Sequence, residues 1–332
     1  MKKSLKLLAI CIFLISVSCK KETIQSTNYT TPQIPKADAD INFDAALPAY
    51  TIRTIAGAFQ QQNNESHYVN GSGPQARFWK PHGITVALDG SIYVADYFNN
   101  AVRKITIQNN VYTVPLSYNT QTGGGLLPEA VGFSNNQTFY IVSTGYGIRI
   151  YNKNKGIDIY SRIANSDSNL DLERDVKDVM WFVNDNSLGR KTGTTIQRNV
   201  VNFSALLAPN ETLRGIATAP LGVKYISSAT QLFKVDNDGK ITKLFPDQKF
   251  TFISGIAVTK DGATIYIADG NAVKMIYKNN ITLISQPLPQ GDGRDGIGLN
   301  ADVVAANIAL SNSEKKLFVT DTRNTIRAIT LP

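Results

Sequence analysis

From about residue 50 onward the chain is written as short apolar runs separated by polar turns. Residues 83–103 read G-I-T-V-A-L-D-G-S-I-Y-V-A-D-Y-F-N-N-A-V-R, residues 255–274 read G-I-A-V-T-K-D-G-A-T-I-Y-I-A-D-G-N-A-V-K, and residues 308–327 read I-A-L-S-N-S-E-K-K-L-F-V-T-D-T-R-N-T-I-R. Each copy predicts a strand, a turn carrying Asp-Gly or Ser-Asn, a second strand ending in Asp, another turn and a third strand. Such a unit cannot bury its own faces, so the copies must stack on one another. No stretch beyond the N-terminus sustains a 3.6-residue apolar period, and helix is expected to be scarce.

The aromatic of the second strand sets the period. Tyr93, Tyr140, Trp181, Tyr225, Tyr266 and Phe318 stand 47, 41, 44, 41 and 52 residues apart. A period of about 40–50 residues with about four strands per copy is that of a β-propeller blade. The expected fold is therefore all-β, a six-bladed β-propeller of four-stranded antiparallel blades. Blade 2 (Glu129 to Tyr151) and blade 4 (Arg214 to Val235) are degenerate, with Ser143 and Ser227 in place of the terminal Asp. Blade 3 is clear from Asp175 to Asp185, but Ser187 to Phe203 is ambiguous.

The last copy stops after its third strand, while residues 50–57, Y-T-I-R-T-I-A-G, form an orphan strand ahead of the first copy. Pairing the orphan strand with the C-terminal blade would close the ring. Two glycine-rich stretches, Asn70 to Phe78 and Asp295 to Val303, share Gly-x-Gly-x-x-Ala and each precedes a first strand. Their glycines suit tight loops at positive φ.

Ile55-Ala-Gly57, Pro81-His-Gly-Ile84 and the run from Asp89 to Ile105 resemble the NHL-repeat family. The resemblance spans about residues 50–332 and implies the six-bladed propeller. It leaves activity open, because that family holds both binding modules and enzymes.

The N-terminus changes the setting. Lys2, Lys3 and Lys6 precede an apolar run, Leu7 to Val17, and then Ser18-Cys19. This resembles a bacterial lipoprotein signal, although Ser16 stands where a Leu is usual. The expected organisation is a signal peptide at 1–18, a flexible tether at 19–48 starting from lipidated Cys19, and a propeller at 49–332. A polar coil of that length reaches about 30 Å. The expected location is the bacterial cell envelope, with the lipid anchored in the outer membrane or at the cell surface and otherwise no membrane contact. Cys11, the other of the two cysteines, leaves with the signal, so the mature domain is expected to have no disulfide, thiol nucleophile or thiolate metal site. Net charge is +8, and removing the three signal lysines leaves +5. The basic residues are scattered and no nucleic-acid motif appears, so nucleic acid is not an expected partner. A monomer is expected.

Candidate chemistry is sparse. The loops flanking the junction of blades 6 and 1 carry Arg77, Trp79, His82, Tyr97, Phe98, Asp292, Arg294 and Arg323. Aromatics and arginines together suit a glycan, a peptide or an envelope protein. Asp96, Asp269 and Asp321, with Asn99 and Asn324, recur at equivalent points around the ring. A metal needs ligands converging on one point, so these residues are assigned to capping turns and tying blades.

Two enzyme classes share the architecture. Amidating lyases need several histidines around zinc, and this chain has only His67 and His82. The stretch from Gly255 to Asp269 also resembles gluconolactonase-like propellers, whose calcium-type centre uses Glu, Asn and Asp. On that alternative the ligands would be Glu129, Glu173, Asp178 and Asn307. The favoured reading is a non-catalytic binding or scaffold module without a cofactor, engaging its partner at a channel face; the alternative is a metal-dependent hydrolase or lactonase.

Overall fold

The strands of one blade can bury their alternating side chains only against the next blade, and that requirement organises the whole ring. The computed structural model describes residues 47–59, 68–116, 126–134, 138–145, 147–152, 156–158 and 171–332. The signal, Cys11, Cys19, most of the tether and His67 lie outside the described residues.

Blade 1 comprises Pro81–Val86, Ile92–Asp96, Ala101–Ile105 and Asn110–Thr113. Blade 2 comprises Pro128–Phe133, Phe139–Ser143, Gly147–Asn152 and Gly156–Asp158. Blade 3 comprises Leu172–Arg174, Met180–Asn184, Ser187–Thr192 and Thr195–Asn202, so the ambiguous stretch supplies its two outer strands. Blade 4 runs Leu213–Thr218, Lys224–Ser228, Leu232–Val235 and Ile241–Leu244. Blade 5 runs Ile253–Val258, Thr264–Asp269, Ala272–Tyr277 and Asn280–Ser285. Blade 6 takes Ala305–Leu310, Lys316–Asp321 and Thr325–Thr330 from the C-terminus.

Its fourth strand is Thr51–Gly57, antiparallel to Thr325–Thr330, with Ile52 opposite Ile329 and Gly57 opposite Thr325. The ends of the chain therefore close the ring, and first strands abut around it, blade 6 against blade 1 included. Helix among the described residues is limited to single 3-10 turns at Gly73–Gln75, Pro220–Gly222 and Gly298–Asn300.

Each gap between consecutive blades holds one apolar cluster, and the period-2 alternation of a strand serves two gaps at once. On Thr264–Asp269, Ile265 and Ile267 pack toward blade 4. Tyr266 and Ala268 on the same strand pack toward blade 6. The repeating aromatic is the residue aimed at the next blade: Tyr140 meets blade 3, Trp181 blade 4, Tyr225 blade 5 and Phe318 blade 1. That shared task explains its period.

The small residue opening most first strands has a steric cause. A Cβ on Gly83 would lie 2.5 Å from the Glu129 carbonyl oxygen of the next blade. One on Gly255 would lie 2.6 Å from Asn307 Oδ1. First strands crowd around the axis, and a side chain there would force them apart.

Candidate functional site at the channel mouth

The second strand of a blade delivers its last residue to the edge of the channel face. There Asp96, Asp269 and Asp321 are buried. Asp96 accepts bonds from Trp79 N (2.8 Å), Asn99 Nδ2 (2.8 Å) and an Arg103 guanidinium nitrogen (2.9 Å). Asp269 accepts from Thr251 N and Phe252 N (2.8 and 2.7 Å) and pairs with Lys274 at 2.6 Å. Asp321 accepts from Val304 N and Arg323 N (3.2 and 3.0 Å) and faces Arg327 at 3.5 Å. Each carboxylate thus binds the loop entering its blade and, in its third strand, a cation. Asn324 Oδ1 accepts from Lys80 N (2.8 Å), joining blade 6 to blade 1.

Arg103 and Arg327 are fully buried and pin the two glycine-rich loops. Arg103 donates to the carbonyls of Arg77 and Val69, both at 2.7 Å, and to Asn70 Oδ1 at 3.0 Å. Arg327 donates to the carbonyls of Asp302 and Arg294 (3.2 and 3.1 Å) and to Asp295 Oδ1 (2.8 Å). Short strands from the loops, Gly71–Ser72 and Gly296–Ile297, then pair with the outer strands of blades 1 and 6.

The loop residues expected to meet a ligand are largely engaged in this scaffold. Arg77 donates to the Pro74 and Ala76 carbonyls. Arg323 is bound to Asp302 (2.6 Å) and Asp321 (3.2 Å); burial pushes the Asp302 carboxyl up, but its bonds from Arg323 and from the Leu288 and Gly293 amides outweigh burial and hold it at about 2. Asp292 and Arg294 pair with each other at 3.5 Å on an exposed turn. Trp79 and Phe98 are exposed and contact each other at 5.4 Å, Phe98 meets Tyr97 edge-on at 5.1 Å, and Tyr97 stacks on His82 at 4.5 Å. Of the eight, His82 alone lines the cavity at the channel mouth.

That cavity, of about 220 Å³, is bounded by His82, Glu129, Asp171, Arg214, Phe252, Ser254 and Asn307 among others. His82 Nδ1 lies 2.7 Å from Glu129 Oε2. The other Glu129 oxygen accepts from the Thr144 hydroxyl at 2.7 Å. Burial pushes Glu129 upward, but the His82 bond, the Thr144 hydroxyl and the Arg214 charge outweigh it, leaving the carboxyl below its ordinary range. The Arg214 guanidinium lies 4.2 Å above the exposed ring of Phe252. Asp171 accepts from Leu172 N and Ile216 N (2.9 and 3.1 Å), tying blade 3 to blade 4, and burial raises it to about 6.

Further down the channel a second cavity of about 220 Å³ is lined by Asp171, Glu173, Asn307, Lys260 and Glu314. Burial and the neighbouring Asp171 charge push Glu173 up to about 8.

The residues weighed for calcium do not fit one ion. Glu129 and Asn307 share the mouth, Glu173 lies in the deeper cavity, and Asp178 sits in a turn beyond the first strand, 3.8 Å from Arg174. Among the described residues, no three His, Cys, Asp or Glu side chains form a group that could hold a metal.

The sequence pattern does not single out Asp171 or Phe252, but for Arg214 a signal exists. Aligning the copies on Gly83, Ala130, Gly215, Gly255 and Asn307 puts His82, Glu129, Arg214, Ser254 and Ala306 in one column. That column rings the mouth.

Solved structures share this fold at low identity. An auxiliary nutrient binding protein from Bacteroides ovatus is 13% identical, with a TM-score of 0.64 over 85% of this chain and 76% of that one. A gluconolactonase from Xanthomonas campestris is 13% identical, with a TM-score of 0.55 over 86% and 99%. Virginiamycin B lyase from Staphylococcus aureus is 15% identical, with a TM-score of 0.53 over 76% and 95%. No curated protein matches the chain significantly. The family model described as the teneurin NHL domain matches residues 49–254, blades 1 to 4 with the closing strand, and the chain belongs to that NHL family.

Proposed function

We propose that the protein binds a glycan at the mouth of its channel and is held at the cell envelope by a lipid on Cys19. One observation carries the reading: His82, Glu129, Arg214, Ser254 and Asn307 converge on a cavity of about 220 Å³ beside the exposed ring of Phe252. A sugar presents many directional hydroxyls and an apolar ring face, so it calls for donors and acceptors from several directions beside an aromatic. The cavity suits one sugar unit better than a folded protein surface, which would need a broad patch. The likeness to an auxiliary nutrient binding protein is in keeping with a binding role.

The test is a glycan array probed with the full chain and with Glu129→Ala and Arg214→Ala. A glycan class retained by the wild type and lost by both variants is the expected result. Retention by both variants would move the site elsewhere. For the anchor, labelling with a fatty-acid analogue should mark the wild type and leave Cys19→Ser unlabelled.

A further inference from the structure

The mouth holds more than binding needs. His82 is fixed on three sides: its ring lies flat on Tyr97 at 4.5 Å and 8°, Nδ1 faces Glu129 at 2.7 Å, and its carbonyl accepts from the Thr320 hydroxyl at 2.7 Å. Glu129 is itself set by Thr144. A carboxylate accepting from Nδ1–H fixes the tautomer with Nε2 as acceptor and stabilises the imidazolium that forms when Nε2 takes a proton. For a ring that only accepts a hydrogen bond from a sugar, a half-buried orienting carboxylate with its own orienting hydroxyl is an expensive arrangement. Among the described residues lining this cavity, Arg214 is the one guanidinium. A guanidinium recognises carboxylates.

We infer that the mouth is an elimination site for uronate-containing glycans, with His82 as the proton-transfer group, Glu129 as its orienting partner and Arg214 as the carboxylate holder. This rests on the reading that the mouth holds a sugar. Neutralising the uronate carboxylate at Arg214 acidifies the adjacent C5–H. His82 Nε2 takes the C5 proton, and the electron pair of that bond becomes the second bond of C4=C5. The C4–O4 bond breaks with its pair leaving on O4, and O4 receives the proton back from His82. The side chains end as they began, so no oxidant, reductant or metal enters the balance. Glu129 stays ionised throughout, in keeping with a carboxyl held below its usual range.

The experiment incubates the purified full chain with polygalacturonate, alginate and heparin, and with dextran and laminarin as neutral controls. It follows the ultraviolet absorbance of the unsaturated uronate, and measures binding to the same polymers in parallel. The expected result is unsaturated product from at least one uronate polymer and none from the neutral ones. His82→Gln should lower that rate by about 100-fold or more, a span typical of lost acid–base catalysis, while polymer binding falls far less than the rate. Glu129→Gln should also lose rate, and Arg214→Gln should both raise KM and lower kcat. Wild-type binding of uronate polymers without unsaturated product overturns the elimination and leaves the binding reading intact. So does a His82→Gln variant with an undiminished rate. Absence of binding to every saccharide overturns both.

Discussion

Blades 5, 6 and 1 repeat the motif faithfully, whereas blades 2, 3 and 4 depart from it, and the two halves of the ring do different work. In the faithful half a buried Asp meets a cation of the third strand: Asp269 with Lys274, Asp321 with Arg327, Asp96 with Arg103. In the divergent half Ser143 and Ser227 stand at that position, with buried hydroxyls that bond no partner among the described residues. Yet Glu129, Asp171, Glu173 and Arg214, most of the charge along the channel, come from blades 2, 3 and 4. Repetition marks the scaffold, and departure marks most of the charged lining of the channel. His82, Ser254 and Asn307 are exceptions, supplied by faithful blades but at positions where the copies differ.

The largest effect should follow from breaking a clasp. Arg327→Ala leaves several loop carbonyls buried without that donor and takes one of two cations from Asp321, which keeps Arg323, while Arg103→Ala strips the guanidinium from Asp96. Each should cost about 3–5 kcal/mol in denaturant unfolding, the usual cost of stripping one partner from a buried pair. A loss under about 1 kcal/mol would mean that the clasps are ornaments of the repeat.

A middle-sized effect should come from the channel acid. Glu173 keeps its proton to about pH 8 in the folded protein, against an ordinary value of 4.5. Between these values the folded state binds more protons than the unfolded chain, so stability falls as pH rises through that window. Asp171, raised from 3.8 to about 6, adds to the lower part of the fall. Thermal unfolding from pH 5 to pH 9 should show a declining Tm, and Glu173→Gln should flatten the decline above pH 6. An unchanged slope in that variant would place the effect elsewhere.

The smallest effect belongs to the divergent half. Ser143→Ala and Ser227→Ala remove hydroxyls that bond nothing described, and should shift stability by no more than about 0.5 kcal/mol. A loss comparable with that of Arg327→Ala would erase the contrast between the halves.

The fold was legible in the sequence because each blade solves the same packing problem. An aromatic fills the gap to the next blade, a small residue lets first strands crowd the axis, and a split blade joins the chain ends. The strands of Ser187–Thr192 and Thr195–Asn202 were harder to read, since the outer one is largely exposed and has no apolar face to pattern. The site was only partly legible. The sequence points to the arginines and aromatics in and around the glycine-rich loops, but Arg103 and Arg327 bind those loops into the scaffold, and only His82 of that set lines the mouth. Buried arginines look like ordinary surface charges on a strand until their carbonyl partners are in place. The mouth residues are a column of unlike side chains, His82, Glu129, Arg214 and Ser254. Their convergence exists only once the ring has closed.

The central claim is that this column binds ligand while the faithful blades hold it in place. Isothermal titration of an array-identified glycan into wild type and Arg214→Ala, with Tm measured on the same samples, tests it most directly. The account predicts binding weakened by about tenfold or more, the loss of one charge-assisted contact, at a Tm within experimental scatter of wild type. Equal affinity in the two proteins would contradict it.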